Sequence, residues 1–369
     1  MKKFTVTIPQ NENKEELIKT ISFVSEDIIN YEIDNEHLHF FLSDDANVPM
    51  VLNDMNELLD KYTSVLKQEE VIFENKLNLN FTSNIDILKS NLIYKYDDGV
   101  LSFRNEAQKL YSCISKLFRE SALNLNCEER MYPILLPLNF FKRTNYLKTS
   151  PQHLIFCCDV IEGFDHLNSL FAHLNENRLK ENISNPKFAL SPSACFHVYI
   201  EYEGKILSSN IALTFEQKVF RNEGRFSWND FGRLKDYSVR ELVFMGDQTY
   251  VNQKRNDAIE VVKNILLKLK LGGSIVSSSD SFIVPNFQRY KRVQLLEKSK
   301  YELRIEVDGG NIACASFNLH GISFTKPFDI KVNNTRSVSG CVGFGIDRWV
   351  LAFLSQHGLD SKKWPIRIQ

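Results

Sequence analysis

The sequence predicts an α+β fold, and three observations carry that prediction. Paired alternating stretches flank turn formers, as Ile28–Ile33 and His37–Leu42 do around Asp34-Asn35-Glu36, the pattern of a hairpin. Stretches of helical spacing lie between such pairs. Near the C-terminus, Ser339-Gly340-Cys341-Val342-Gly343-Phe344-Gly345 reads as a strand that runs into a helix apolar almost all round, Trp349 to Leu354.

In chain order, residues 3–8 alternate as a strand. Leu17, Ile18, Ile21 and Val24 share one face of a helix over 14–25. After the hairpin, Val51, Leu52, Met55, Leu58, Leu59, Tyr62, Val65 and Leu66 stripe a second helix over 48–67. The order β-α-β-β-α is that of a small ferredoxin-like module, which a strand near Val71–Phe73 would close. Residues 75–102 read as a linker with short strands. A long helix follows at 104–123, with Ala107, Leu110, Tyr111, Ile114, Leu117, Phe118 and Ala122 as its stripe. Tyr132 to Pro137 is an extended segment whose prolines suit an edge or an interface. Residues 152–161 read as a strand and 164–178 as a helix. Ile211, Leu213 and Phe215 look like a central strand, and Gly358 like a helix stop. The expected division is an N-terminal module over 1–90, a linker over 91–103 and a main domain over 104–369.

Bulk composition is ordinary for a globular protein. The chain has 369 residues, 43% hydrophobic, with a net charge of −1, so bulk charge points to neither nucleic acid nor membrane. The distribution is uneven: residues 1–90 hold eight Lys, no Arg and seventeen Asp and Glu. Their balance is −9, against +8 for residues 91–369. No signal peptide and no apolar run of spanning length are legible. Seven irregularly spaced cysteines argue against a disulfide framework and for a reducing compartment, the cytoplasm. Cys113, Cys127, Cys157 and Cys158 read as small buried hydrophobes.

Two clusters carry chemistry. In the first, Cys341, Gly343 and Gly345 fall on one strand face at period two. Two bare positions let a flat ligand or another backbone lie against the sheet. Arg348 then sits in the first turn of a buried helix, where a guanidinium needs an anionic partner. A phosphate would suit its planar fork; a Gly-rich bulge with Arg348 paired to a core carboxylate accounts for the same residues equally. In the second, Phe220-Arg221-Asn222-Glu223 and Arg233 to Glu241 flank a loop holding Gly224, Asn229, Asp230 and Gly232. This reads as a long-tipped hairpin, in which Arg221 and Glu223 share a face of the first strand and Arg233, Tyr237 and Glu241 share a face of the second, all on one hairpin surface. Such a surface needs a large polar ligand or bulk water.

Together the clusters resemble the second and third signature motifs of class II aminoacyl-tRNA synthetases. The first, dimer-building motif resembles the helix at 104–123 with the segment near Pro133. Within that superfamily the chain looks like the amino acid:[carrier protein] ligases, truncated relatives of the zinc-dependent seryl-tRNA synthetases of methanogens. The stretches that carry this likeness are Tyr146 to Pro151, Leu190 to Cys195, Arg240-Glu241, Ala313 to His320 and Cys341 to Gly345, with His357 to Asp360 and Trp364-Pro365 at the end. The likeness covers residues 100–369 and leaves the N-terminal module outside.

The resemblance implies an antiparallel sheet flanked by helices, a homodimer and ATP-dependent activation of a small amino acid. It implies that Arg221 holds the α-phosphate, Glu223 the adenine edge, and Arg348 the γ-phosphate, with Tyr237 stacked on the base. Arg233, Gly343 and Gly345 would line the same ATP site, and magnesium would accompany the ATP. Zinc would be held by Cys195, Glu241 and Cys341. Two thiolates and a carboxylate suit zinc, and three protein ligands leave a fourth position for a substrate amine. His197, read as sharing a strand face with Cys195, is a substitute ligand. Glu302, Ser316, Asn318 and His320 would form the amino-acid pocket, with His320 a pocket or core histidine and not a ligand.

The chain departs from the ligases in four places. Tyr237 stands where Phe is usual, and the loop between Glu223 and Arg233 is longer. Asp280-Ser281-Phe282-Ile283 replaces Asp-Pro-Phe-Phe, and Ser323 stands where a second His follows His320. The implied acceptor is the phosphopantetheine thiol of an acidic carrier protein, and not tRNA, because the −9 segment would repel an RNA backbone. The helix at 164–178 is the docking element by position. The alternatives are a zinc-dependent seryl-type synthetase and an inactive paralogue that serves as a binding protein.

Overall fold

In the computed structural model, the described residues are 2–8, 17, 20–34, 36–61, 69–227, 231–287 and 289–368. Strands β1 (Lys2–Thr7), β2 (Ile28–Ile33) and β3 (His37–Leu42) form an antiparallel sheet in the order β1-β3-β2. The helix Val48–Lys61 follows. Ile8, Leu17, Ile21, Leu38, Phe40, Val51 and Met55 make the module's own core. Residues 14–16, 18 and 19 of the helix expected over 14–25, and residues 62–67 of the second, lie outside the described residues.

Strand β4 (Val71–Asn75) does not close this module. It pairs with β14 (Gly273–Ser277) at the edge of an eight-stranded sheet. The charge boundary near residue 90 is therefore not the packing boundary, because Ile72, Phe73 and Ile87 already pack into the main core. The expected linker contains the helix Asn84–Lys89 and a hairpin of β5 (Ile93–Asp97) with β6 (Val100–Phe103). Ser83 caps that helix by accepting from Asp86 N at 3.1 Å, which satisfies one of the free amides at its start.

The large sheet comprises β4, β7 (Glu128–Glu129), β12 (Ile211–Phe220), β13 (Asp236–Gly246), β14, β15 (Lys300–Val307), β16 (Gly310–Gly321) and β19 (Val338–Gly345). Its order is β4-β14-β15-β16-β19-β13-β12-β7, antiparallel except for the short β7. A smaller sheet joins β8 (Leu135–Pro137), β10 (Phe188–Leu190) and β9 (Ile155–Cys157), and another joins β11 (Ile206–Leu207), β17 (Lys331–Val332) and β18 (Thr335–Arg336). The strand expected over 152–161 is thus cut to three residues, preceded by a 3-10 turn at Pro151–His153.

Strand alternation sorts β19 cleanly. Phe344 stacks on Phe118 of the helix Asn105–Asn124 at 4.9 Å, and Gly340 lies under Val251 of the helix Gln248–Lys268. The helix Ile346–His357 joins them, its Trp349 edge-on to Phe118 and its Nε1 donating to Cys314 O at 3.0 Å. The helices therefore cover the Phe344 face. Cys341, Gly343 and Gly345 point to the other face, as period two requires, and that face carries the candidate site. Gly358 ends the last helix at φ 77°, a left-handed position that glycine adopts without penalty.

Candidate active site

The site is built along rows of paired residues that cross four strands. Glu302, Ser316, Gly343 and Glu241 lie side by side on β15, β16, β19 and β13. One pleat away, Lys300, Asn318 and Cys341 form the next row. Gly343 is bare for a reason: a Cβ there would sit 2.9 Å from Glu241 Oε2. The absent side chain makes room for a carboxylate of the protein itself.

A sulfur-rich group gathers at one end. Cys195 caps the start of the short helix Phe196–Glu201. Its Sγ, Cys341 Sγ and a His320 ring nitrogen all lie within 4.8 Å of one another. His320 Nε2 is 3.3 Å from Cys341 Sγ, Asn318 Nδ2 is 3.5 Å from the same sulfur, and Ser193 Oγ is 3.4 Å from Cys195 Sγ. The contact between the two sulfurs pushes the Cys195 thiol well below its ordinary range and the Cys341 thiol well above it, with burial raising both. Burial pushes Glu241 up to about 8, with the Cys195 charge adding to it and a Cys341 hydrogen bond opposing. Two buried thiols, an imidazole and a carboxylate are a donor set that fits zinc.

Two expectations change here. His320, expected as a pocket or core histidine, lies with Cys195 and Cys341 in a group that could hold a metal ion, whereas Glu241, expected as the third ligand, is not part of that group. His197 is not a substitute ligand, because residues 196–201 are helix, not strand. Its Nε2 lies 3.1 Å from Leu135 O and its ring stacks on Tyr132.

The basic end lies beyond the strand tips. β12 stops at Phe220 and β13 starts at Asp236, so Arg221, Glu223 and Arg233 occupy the segments after and before them and not strand faces. Arg221 Nε donates to Pro192 O at 2.9 Å. Arg233 Nη1 pairs with Glu223 Oε2 at 3.2 Å. Burial alone would raise the Glu223 carboxyl, but Arg233, His153, Arg221 and Arg348 outweigh it and hold it down at about 2. Asn229 and Asp230 of the loop tip lie outside the described residues. Arg348 lies over the Tyr237 ring at 4.6 Å and donates Nη1 to Ala313 O at 3.2 Å. Its Nε is buried without a partner. A Cβ at Gly345 would stand in ordinary contact with Arg348 Cδ, at 3.6 Å. Among the described residues, neither Arg221 nor Arg348 makes an ion pair, so the core-carboxylate account of Arg348 has no carboxylate. Arg221 and Arg348 act on Glu223 through space but pair directly with no carboxylate among the described residues, and a guanidinium in that state suits an added anion.

The structure adds residues that periodicity did not single out. Lys300 Nζ lies 2.7 Å from Asp280 and 3.1 Å from Glu302, which also accepts from Ser278 at 2.9 Å. His153, beside Tyr146 Oη at 3.1 Å, is held neutral by burial, its pKa lowered to about 4. Position next to the Tyr146–Pro151 stretch was the only sequence signal for His153; Lys300 had none.

This sheet, with helices on one face and the site on the other, is the fold of the class II aminoacyl-tRNA synthetases. A scan against protein-family models finds no match. Among curated proteins, the type-2 serine–tRNA ligase of Methanococcus aeolicus is 27% identical over 274 residues, 70% of this chain and 52% of its own length. That of Methanocaldococcus jannaschii is 24% identical over 69% of this chain and 52% of its own. Among solved structures, M. kandleri SerRS in complex with A. aeolicus tRNASec superposes with a TM-score of 0.73 at 19% identity, over 99% of this chain and 76% of that one. Seryl-tRNA synthetase from Pyrococcus horikoshii complexed with ATP gives a TM-score of 0.57 at 11% identity, over 77% and 60%. The chain spans about half the length of the curated relatives it matches. The narrower likeness to carrier-protein ligases is not carried by these relatives. No helix among the described residues is long and apolar enough to cross a membrane.

Proposed function

We propose that this chain activates a small amino acid with ATP as its aminoacyl-adenylate. One observation carries the reading: Arg221 and Arg348 lack ion-pair partners among the described residues, while Arg348 Nε is buried and unsatisfied beside Tyr237. The amino-acid carboxylate attacks the α-phosphorus, the P–O bond to pyrophosphate breaks, and the electron pair leaves with pyrophosphate. Arg221 stabilises charge on the α-phosphate, and Arg348 holds the departing phosphates. Glu223, ionised at neutral pH, accepts a hydrogen bond from the adenine amino group. Tyr237 offers its face to the base, with Arg348 swinging aside, and Arg233 keeps Glu223 in place. Gly343 and Gly345 keep the floor flat, and magnesium accompanies the ATP.

Cys195, Cys341 and His320, with Glu241 adjacent, would hold zinc, which supplies a Lewis-acidic anchor for a substrate amine. Asn318 and Ser193 orient the two sulfurs, and Glu302 and Ser316 line the pocket beside them. Fixing one end of the amino acid orients its carboxylate.

For the acceptor, the relatives' name favours tRNA and serine, against the expectation drawn from charge. The carrier-protein thiol is the second reading. It is favoured by the +8 balance of residues 91–369, which suits an acidic partner, and by the helix Phe164–Asn175, which exposes Phe164, Leu167, Phe171 and Leu174. The apolar edge residues Met131, Ile134 and Leu135 support a homodimer across the first motif. ATP–pyrophosphate exchange with each amino acid in turn tests activation, and exchange with none refutes it. Labelling of total tRNA against holo and apo carrier protein then decides the acceptor. Transfer to tRNA supports the first reading, and label on holo carrier alone the second.

A further inference from the structure

The segment between β12 and β13 is anchored in both domains. At its start, Arg221 N donates to Lys235 O at 2.9 Å and Asn222 N to His153 O at 3.2 Å, both within the main domain. Past Glu223 the chain crosses to the N-terminal module. Arg225 donates Nη1 to Ser22 O at 2.9 Å, and Nη2 to Ser25 O at 2.7 Å and Ile28 O at 2.5 Å. Its guanidinium lies 4.8 Å over the Phe226 ring, and Phe226 packs on the module's core, edge-on to Tyr31 at 5.2 Å. Gly224 makes the crossing close: at φ +86°, a Cβ there would lie 2.1 Å from Ser22 Oγ and 2.8 Å from Phe23.

A guanidinium offers its donors in a fixed planar fork, which the three carbonyls of this one turn match. A lysine ammonium is a single point and cannot reproduce that fit. Glu223 stands between the two sets of anchors and pairs with Arg233 at 3.2 Å. Its backbone is therefore fixed from both sides, and releasing the module frees one of them. A strut that only joined two domains would leave ATP affinity unchanged when cut. A latch on the segment that carries Glu223 would not.

We propose that Arg225 is a positioning residue, which latches the N-terminal module onto the segment that carries Glu223 and so couples the module to the ATP site. The proposal rests on the ATP reading above and gives the module a part in it. Coupling between two sites is reciprocal. If the docked module favours ATP, bound ATP favours the docked module by the same factor. ATP therefore tightens the turn at residues 22–28, although that turn need not touch it.

The test combines pyrophosphate-exchange kinetics with amide hydrogen exchange on the full chain. Arg225→Ala should raise the KM for ATP about tenfold while kcat stays within about threefold, the size of effect that coupled sites show. Gly224→Ala, whose Cβ drives Ser22 away, should raise the KM by another route. Arg225→Lys, which keeps the charge and loses the fork, should fall between wild type and Arg225→Ala and serves if the alanine variant does not fold. Mg-ATP should slow amide exchange over residues 20–28 in wild type and leave it unchanged in Arg225→Ala. A wild-type KM in Arg225→Ala and Arg225→Lys overturns the proposal, as does a wild type that binds Mg-ATP without protecting residues 20–28. If Glu223→Gln raises the KM while both Arg225 variants do not, this inference falls alone. If wild type binds no Mg-ATP, the ATP reading falls and this inference with it.

Discussion

Arg348→Ala separates a guanidinium kept for a ligand from one kept for the fold, because the two roles demand different changes in stability. In the fold, Arg348 makes one hydrogen bond to Ala313 O at 3.2 Å and one face contact with Tyr237 at 4.6 Å. The hydrogen bond contributes about 1 kcal/mol net, and a cation over a ring about 0.5–2 kcal/mol. Opposing both, the buried Nε has no partner, which costs roughly 1–3 kcal/mol. These contributions nearly cancel, so Arg348→Ala should keep its melting temperature within about 4 °C. The rate behaves otherwise. Losing a charged contact to the phosphates costs on the order of 10²–10³ in turnover, about 3–4 kcal/mol. Pyrophosphate exchange and a thermal melt on the same preparation read both quantities. Exchange at the wild-type rate, or a melting temperature lower by about 10 °C or more, would show that Arg348 serves the fold and refute the argument.

Purified protein should carry about one zinc per chain, and Cys195→Ala and Cys341→Ala should each lose it. Full retention in both variants sinks the site, and full retention in His320→Ala removes that histidine alone from the ligand set. Gly343→Ala places a Cβ 2.9 Å from Glu241 Oε2, so the carboxylate must swing away from Cys341; the variant should fold and bind zinc more weakly, and wild-type zinc affinity would refute this account of the glycine. Asp347 gives a pH test. Burial raises its carboxyl from 3.8 to about 6, although Lys218 at 3.8 Å and the Ser238 N–H at 2.7 Å oppose it. The folded pKa lies above the unfolded one, so its stabilising share is present below about pH 4 and lost as pH rises through 6. Asp347→Asn should therefore gain stability over wild type on going from pH 4 to pH 7.5, by on the order of 3 kcal/mol. An equal difference between the two proteins at both pH values would contradict it.

Local period was enough for the strand and helix at 338–357, the hairpin of β12 and β13, and the long helix near 105–124. Each is specified by alternation or by 3.6-residue spacing within its own stretch. The same spacing made Cys341, Gly343 and Gly345 legible as one face, with Arg348 at the helix start. Pairings between distant stretches were not legible. Val71–Asn75 reads as a strand, but only the exposed edge of β14, some two hundred residues away, decides that it joins the large sheet and not the module. Cys195 lies in a segment too short to show its period, so its helical cap, and with it the fate of His197, follows from packing. His320 reaches the Cys341 sulfur because β16 and β19 pair in a register that brings it there. Arg225 meets the backbone carbonyls of Ser22, Ser25 and Ile28 from some two hundred residues away, a pairing that no local rule relates. A period is a property of neighbours along the chain, whereas strand register and side-chain convergence come from the burial of surfaces that meet only when the whole chain has folded.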